Sequence, residues 1–174
     1  KGLLWDLKKI HVGLQGDHQL GNAAVALCAA ELLSHSGTSL PQNTIRDALA
    51  VVKWPGRLEI AGENPTVLLD AAHNPHGTRS LAAFLQTHYG GRRIILVFGV
   101  MKDKNWREML DLLSPLAHEI ILTKPAIERA ASPELLALSV PGAAIADDIK
   151  SAISIARKRA DKEDLILVTG SLYT

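Results

Sequence analysis

Net charge is nearly absent from this chain: 19 basic residues against 18 acidic ones leave a formal +1 over 174 residues. No electrostatic case for nucleic acid or an anionic membrane follows, although a few placed groups would still suffice for one anionic ligand. Cysteine is scarce as well, since Cys28 stands alone and can form no internal disulfide. A reducing, cytoplasmic setting is therefore the default. Its place in the alanine-rich run 22–33 favours a small buried side chain over a reactive thiol. Long apolar runs are missing, the stretch 94–97 being far too short to span a bilayer. There is no Gly-x-x-x-x-Gly-Lys-Ser/Thr loop, and Gly13-Leu14-Gln15-Gly16 falls short of a dinucleotide fingerprint. Internal repeats, low-complexity tracts and long linkers are also lacking. The chain opens at Lys1 without methionine or an apolar leader and stops just after a strand-like run, the pattern expected of a fragment or cleaved domain.

What is present is 47% apolar residues, enough in this length for one α/β domain with a real core and a small attachment. Over residues 19–33, Leu20, Ala23, Ala24, Leu27 and Ala30 recur at three and four, the period of a helix. A second helix opens after Leu40-Pro41, with Ile45, Ala48, Leu49 and Val52 on one face, and ends by Pro55. Residues 1–10 fit either a strand end or an amphipathic turn. Beyond Trp54-Pro55-Gly56-Arg57 the texture changes to short apolar runs alternating with helical segments. Runs 58–61 and 66–70, separated by Gly62-Glu63-Asn64-Pro65, predict a hairpin; 93–98, 118–123, 143–146 and 164–169 predict further strands. Helices are expected over 77–88, 104–113, 133–138 and 148–160, with Ser132-Pro133 and Asp147-Asp148 as start signals. The alternation implies an α/β fold with a mostly parallel sheet covered on both faces. The boundary is expected near 53–56, with a mainly helical part over 1–53 and the α/β domain over 54–174.

Ligands of open α/β sheets bind beyond the carboxyl ends of the strands, so the residues that follow each run are the first candidates. Asp70 ends one strand, and His73, Asn74 and His76 lie in the turn into the next helix. A carboxylate there can accept from ribose hydroxyls, while the helix N-terminus offers free N–H groups to phosphate oxygens. Asp70 and Asn74 as simple helix caps are the competing reading. A metal site from Asp70, His73 and His76 lacks both a second ligand cluster and a helical HxxxH spacing, and none is expected. Arg57, after a rigid Trp-Pro-Gly turn, suits bidentate contact with phosphate, against the alternative of an exposed surface arginine. The amides of His18-Gln19-Leu20-Gly21-Asn22 could read a base edge or cap the first helix. Lys102 and Lys104 could face phosphates, or form a charged turn with Asp103 as the cap. His11, His35, His88 and His118 fit surface or boundary positions.

Three segments are specific together. Gly16-Asp17-His18-Gln19-Leu20-Gly21-Asn22-Ala23-Ala24, Trp54-Pro55-Gly56-Arg57-Leu58-Glu59 and Leu69-Asp70-Ala71-Ala72-His73-Asn74-Pro75-His76-Gly77 resemble, in order and spacing, the folylpolyglutamate synthase and dihydrofolate synthase family of Mur-ligase-like enzymes. Phe98-Gly99-Val100-Met101-Lys102-Asp103-Lys104, Arg129-Ala130-Ala131-Ser132-Pro133 and Leu167-Val168-Thr169-Gly170-Ser171-Leu172-Tyr173 fit as well, so the resemblance covers essentially the whole chain. It implies the end of an ATPase domain over 1–53 and a Rossmann-like C-terminal ligase domain with a β-hairpin edge over 54–174. It further implies a soluble, monomeric enzyme that phosphorylates a pteroate or folate carboxylate with ATP and lets L-glutamate displace the phosphate. By motif, Asn22 would meet the adenine side of ATP, Arg57 its phosphates and Asp70 its ribose or the interdomain site. His73 would lie near the γ-phosphate and the incoming glutamate. The family's P-loop and Mg2+ ligands belong to a preceding ATPase region, so this chain alone is expected to be inactive. Ala71 stands where the family often has glycine, a change that leaves the contacting side chains in place. A stand-alone nucleotide-binding or interaction module, and a Mur-type cell-wall ligase, are the alternatives.

Overall fold

A computed structural model describes residues 5–171 and 173, and divides the chain into two compact units, Lys1–Pro55 and Gly56–Thr174. Residues 1–4 of the ambiguous first segment, and Leu172 of the last motif, lie outside the described residues.

The first unit holds α1 (Asp17–His35) and α2 (Gln42–Val51). Gly13 is explained here: its N–H donates to the Leu49 carbonyl at 2.8 Å, and an added Cβ would stand 2.7 Å from the Ala50 carbonyl oxygen. That glycine serves close packing on the end of α2, not a phosphate loop. In α1 only Gln19, Ala23 and Glu31 are buried. Cys28 is exposed, which corrects the expectation of a buried thiol: its turn of α1 has too little of this unit against it.

The second unit is a six-stranded sheet in the order β1-β2-β6-β3-β4-β5. Its strands are β1 (Glu59–Gly62), β2 (Thr66–Leu69), β3 (Ile94–Phe98), β4 (Glu119–Leu122), β5 (Ala144–Ile145) and β6 (Leu165–Thr169). Only the β1–β2 edge is antiparallel, the other pairings being parallel, so the mostly parallel sheet with a hairpin edge is as expected. All five residues of β3 and of β6 are buried, the continuous apolar pattern of strands covered on both faces. Alternate side chains serve two cores. Leu68, Leu96, Phe98, Leu122 and Leu167 pack with Leu81 and Leu85 of α3 (Pro75–Tyr89) and Met109 and Leu110 of α4 (Trp106–Leu113). Val67, Ile95, Val97, Ile121 and Ile166 pack instead with Ala152 and Ala156 of α6 (Ile149–Arg159).

The start signals act as their chemistry predicts. Asn74, Ser132 and Asp148 each accept from a backbone N–H three residues on, at the heads of α3, α5 (Pro133–Ala137) and α6. Asp103 does not cap α4, which begins two residues later than the predicted 104; its carboxylate pairs with Lys104 at 3.1 Å instead.

Candidate functional site

The parallel strands β2, β3, β4 and β6 run the same way, so residues just after them share one edge of the sheet. The opposite edge carries charges that neutralise one another: Arg93 bridges Asp164 and Glu119, and Glu119 also accepts from Arg159 at 3.1 Å. The carboxyl-end edge is different.

There β1 returns to β2 with Glu59 opposite Leu69, which places the Gly56–Leu58 turn beside residues 70–72. The Ala71 N–H donates to the Gly56 carbonyl at 2.7 Å, and the Gly56 N–H donates to Oε2 of Glu59 at 2.7 Å. Asp70 is buried; its Oδ2 accepts from the Leu58 N–H at 3.1 Å and its Oδ1 from the Ala72 N–H at 2.9 Å. Arg57 sits in the middle of this fixed turn. It is half-buried and makes no hydrogen bond or ion pair among the described residues. A guanidinium held at its backbone and unspent at its head is suited to a bidentate anion.

His73 follows on the other side of Asp70. Its Nδ1 lies 2.9 Å from the Ala71 carbonyl oxygen, and because a carbonyl only accepts, Nδ1 carries the proton and Nε2 faces outward on an exposed ring. Asn74 then caps α3, accepting from the Gly77 N–H at 2.9 Å, and Pro75 occupies the first turn. Asn74 is therefore the cap, and Asp70 is not. Arg57, Asp70 and His73 thus stand at one corner of the second unit, where Asp70 and His73 bond to the backbone beside them. Asn22 belongs to the first unit, on α1, where it is exposed and donates from Nδ2 to Gln19 Oε1 at 2.9 Å; Gln19 in turn meets His18 at 3.1 Å. None of these amides caps the helix, whose N-cap position is Gly16.

The lysines of the next strand end are engaged. Lys104 pairs with Asp103, and the hydrogen bond from Lys104 holds the Asp103 carboxyl below its ordinary range; Lys102 donates to the Glu128 carbonyl at 3.4 Å. At the same edge Gly170 has φ 108°, and a Cβ there would fall 2.5 Å from the Gly99 carbonyl oxygen. Glycine is required where β6 and β3 end this close together. The hydroxyls of Thr123 and Thr169 are buried at this edge with no hydrogen-bond partner among the described residues. Among the described residues no three His, Cys, Asp or Glu side chains could jointly hold a metal ion, and no helix is long and apolar enough to cross a membrane.

Sequence reasoning found Arg57, Asp70 and His73 by residue type and position after a strand. It missed Leu58 and Ala72, whose contribution is a backbone N–H that carries no side-chain signature. It also missed Glu59, whose carboxylate fixes Gly56.

An open, mostly parallel sheet with Arg57, Asp70 and His73 at its carboxyl edge has the α/β architecture in which ligands bind beyond the strand ends. The family described as "Mur ligase, glutamate ligase domain" matches residues 56–172, and the chain belongs to that family. It is 33% identical over 167 residues to the dihydrofolate synthase/folylpolyglutamate synthase of Bacillus subtilis, covering 94% of this chain and 39% of that protein. The Mycobacterium tuberculosis folylpolyglutamate synthase complexed with ADP aligns with a TM-score of 0.88 and 32% identity, over 99% of this chain and 42% of that one. A bifunctional folylpolyglutamate synthase/dihydrofolate synthase with Mn, AMPPNP and L-glutamate bound gives a TM-score of 0.85 and 31% identity, over 99% and 41%. The motifs and the relatives point to the same group of enzymes. The chain spans about two fifths of the length of the relatives it matches.

Proposed function

We propose that this chain is the C-terminal part of an ATP-dependent ligase that joins L-glutamate to dihydropteroate, tetrahydrofolate or both. The observation that carries the reading is the alignment of 99% of the chain with a folylpolyglutamate synthase complexed with ADP. Residues 1–53 are then the end of the ATPase domain and 54–174 the ligase domain, in a monomeric cytoplasmic enzyme. The exposed apolar side chains Leu20, Val25, Leu32 and Leu33 on α1 support the first assignment, since a helix apolar on every side is normally buried within a larger body.

In the proposed reaction an acceptor carboxylate oxygen attacks the γ-phosphorus of ATP, the bond from that phosphorus to the bridging oxygen breaks, and ADP leaves. The glutamate amine then attacks the acyl carbon, the amide C–N bond forms, and phosphate departs while the amine sheds a proton. Arg57 would bind the phosphates and stabilise charge on the transferring group. His73, with Nδ1 anchored on Ala71, would present Nε2 to the γ-phosphate and the incoming glutamate. Asn22 would contact the adenine side, its amide oriented by Gln19. The Mg2+ that accompanies ATP would be held by the preceding ATPase region, and none of these assignments depends on it.

The test is phosphate release by the full-length protein, measured with ATP, L-glutamate and either pterin acceptor. Release that needs both acceptor and glutamate is expected; no turnover with any pteroate or folate would refute the ligase. Turnover with uridine-linked peptide acceptors would transfer the protein to the cell-wall branch.

A further inference from the structure

We propose that Glu59 is a positioning residue for Arg57: its carboxylate closes the turn that carries the guanidinium and acts on the reaction through it. The inference rests on the ligase reading above, in which Arg57 binds the phosphates of ATP.

The turn has an unusual backbone. Arg57 stands between two left-handed residues, Gly56 at φ 68° and Leu58 at φ 49°. Glycine adopts such a conformation freely, leucine rarely. A segment of this kind keeps its shape only when its surroundings over-determine it. The Leu58 half is well held, because its side chain is 1% exposed in the core and its N–H donates to Asp70 Oδ2 at 3.1 Å. The Gly56 half has no side chain to anchor. It is held through its two backbone groups, the carbonyl accepting from the Ala71 N–H at 2.7 Å and the N–H donating to Glu59 Oε2 at 2.7 Å.

Glu59 reaches its target from a fixed base. As the first residue of β1 it pairs with Leu69 of β2, and from there its side chain turns back three residues onto Gly56. That is the reach of the glutamate in a helix-capping box, used here on a turn that leads into a strand. The carboxylate engages the amide and not the neighbouring cation, since Arg57 makes no ion pair among the described residues. An acid two residues from Arg57 therefore fixes the backbone of the arginine and leaves its head unpaired. Without that carboxylate the Gly56 N–H turns to water, the most permissive residue of the turn is released, and the guanidinium beside it spreads over several directions. Only the fraction aimed at the phosphates then contributes to binding.

Glu59 is exposed, on the edge strand of the sheet and outside both cores. Its replacement leaves the buried structure intact, which separates the aim of Arg57 from the fold. What Gly56 requires is an acceptor, not a charge. A glutamine keeps a carbonyl oxygen at the same reach, and an alanine keeps none.

The experiment measures kcat and KM for ATP in the full-length protein for Glu59→Ala, Glu59→Gln, Arg57→Ala and the double variant of the two alanines, with thermal unfolding of each. Glu59→Ala is expected to lower kcat/KM about tenfold, the usual worth of a hydrogen bond to a charged group. Glu59→Gln should stay within about twofold of the unmutated protein, and neither should move the melting temperature more than other exposed substitutions do. In the Arg57→Ala background, Glu59→Ala should cost less than about twofold, because the group it aims is gone. A glutamine as damaging as the alanine overturns the proposal, because the charge and not the turn would then matter. Multiplicative losses in the double variant overturn it as well, since they would give Glu59 a contact of its own. So does an alanine variant with unchanged kcat/KM, or one whose loss is matched by a fall in the folded fraction. The unmutated protein is the control: no glutamate-dependent turnover there refutes the ligase reading and this inference with it, whereas turnover with any of those four results refutes the positioning role alone.

Discussion

The two units have similar proportions of apolar residues and use them to different effect. β3 buries all five of its residues, whereas the nineteen residues of α1 include three buried ones and leave Leu20, Val25, Leu32 and Leu33 exposed. Helical periodicity predicted α1 correctly, yet it gave no information on what the helix packs against. A strand in the middle of a parallel sheet has its partners supplied by its own domain, on both sides and both faces. A lone pair of helices does not. The same contrast holds for charge within the second unit, where Arg93, Glu119, Arg159 and Asp164 satisfy one another at one edge of the sheet while Arg57 at the other edge has no partner among the described residues.

The strongest way to test the contrast is to cut into the better-closed core. Phe98→Ala, at a position with no exposure, should cost about 3–5 kcal/mol in denaturant unfolding of this chain. A loss like that of a surface site would mean the sheet is not the stabilising core. Next in size is the unpaired cation: Arg57→Ala in the full-length protein should lower ATP-dependent turnover at least about a hundredfold. Its melting temperature should hardly move, and a sharp fall in melting temperature with activity per folded molecule intact would contradict the role. Removing the α3 cap by Asn74→Ala should cost about 1 kcal/mol, measured the same way as Phe98→Ala.

Smaller still is Leu32→Ala on α1, which at 59% exposure should change the stability of this chain by no more than about 0.5 kcal/mol. In the full-length protein the proposed domain assignment predicts a core-like loss of about 2–4 kcal/mol for the same substitution, so equal effects in both would remove that assignment. The least effect expected concerns Asp148. Its hydrogen bond from the Ser151 N–H holds the carboxyl below its ordinary range, so its folded pKa lies under the unfolded value of about 3.9. The capping contribution is thus complete above that value and lost as pH falls through the folded pKa. Asp148→Asn should flatten this part of the acid stability profile, and an unchanged profile would show that the cap is not electrostatic.

Much of the architecture was legible because each element carries its own signal. Short apolar runs marked the strands to within one or two residues, and Ser132 and Asp148 marked helix starts through side chains that reach only three residues along the chain. Prediction failed where the outcome depended on a competing partner. Asp103 has the right chemistry to cap α4 but is taken by Lys104, and Cys28 has the right neighbours in sequence for burial but not in space.

By itself the sequence determined the α/β alternation, the hairpin edge and the residue types Arg57, Asp70 and His73 beside a strand end, because periodicity and local turn chemistry are written along the chain. Only the tertiary structure decided what Asp70 holds. Near the hairpin turn Gly62 stands opposite Val67, but an irregularity between Ile60 and Gly62 shifts the register, so that Ile60 faces Leu68 and Glu59 faces Leu69. Continued one step, that register sets Leu58 across from Asp70 and brings its N–H to the carboxylate. A one-residue shift in pairing is invisible in composition and period, and it exchanges which side chain meets which amide.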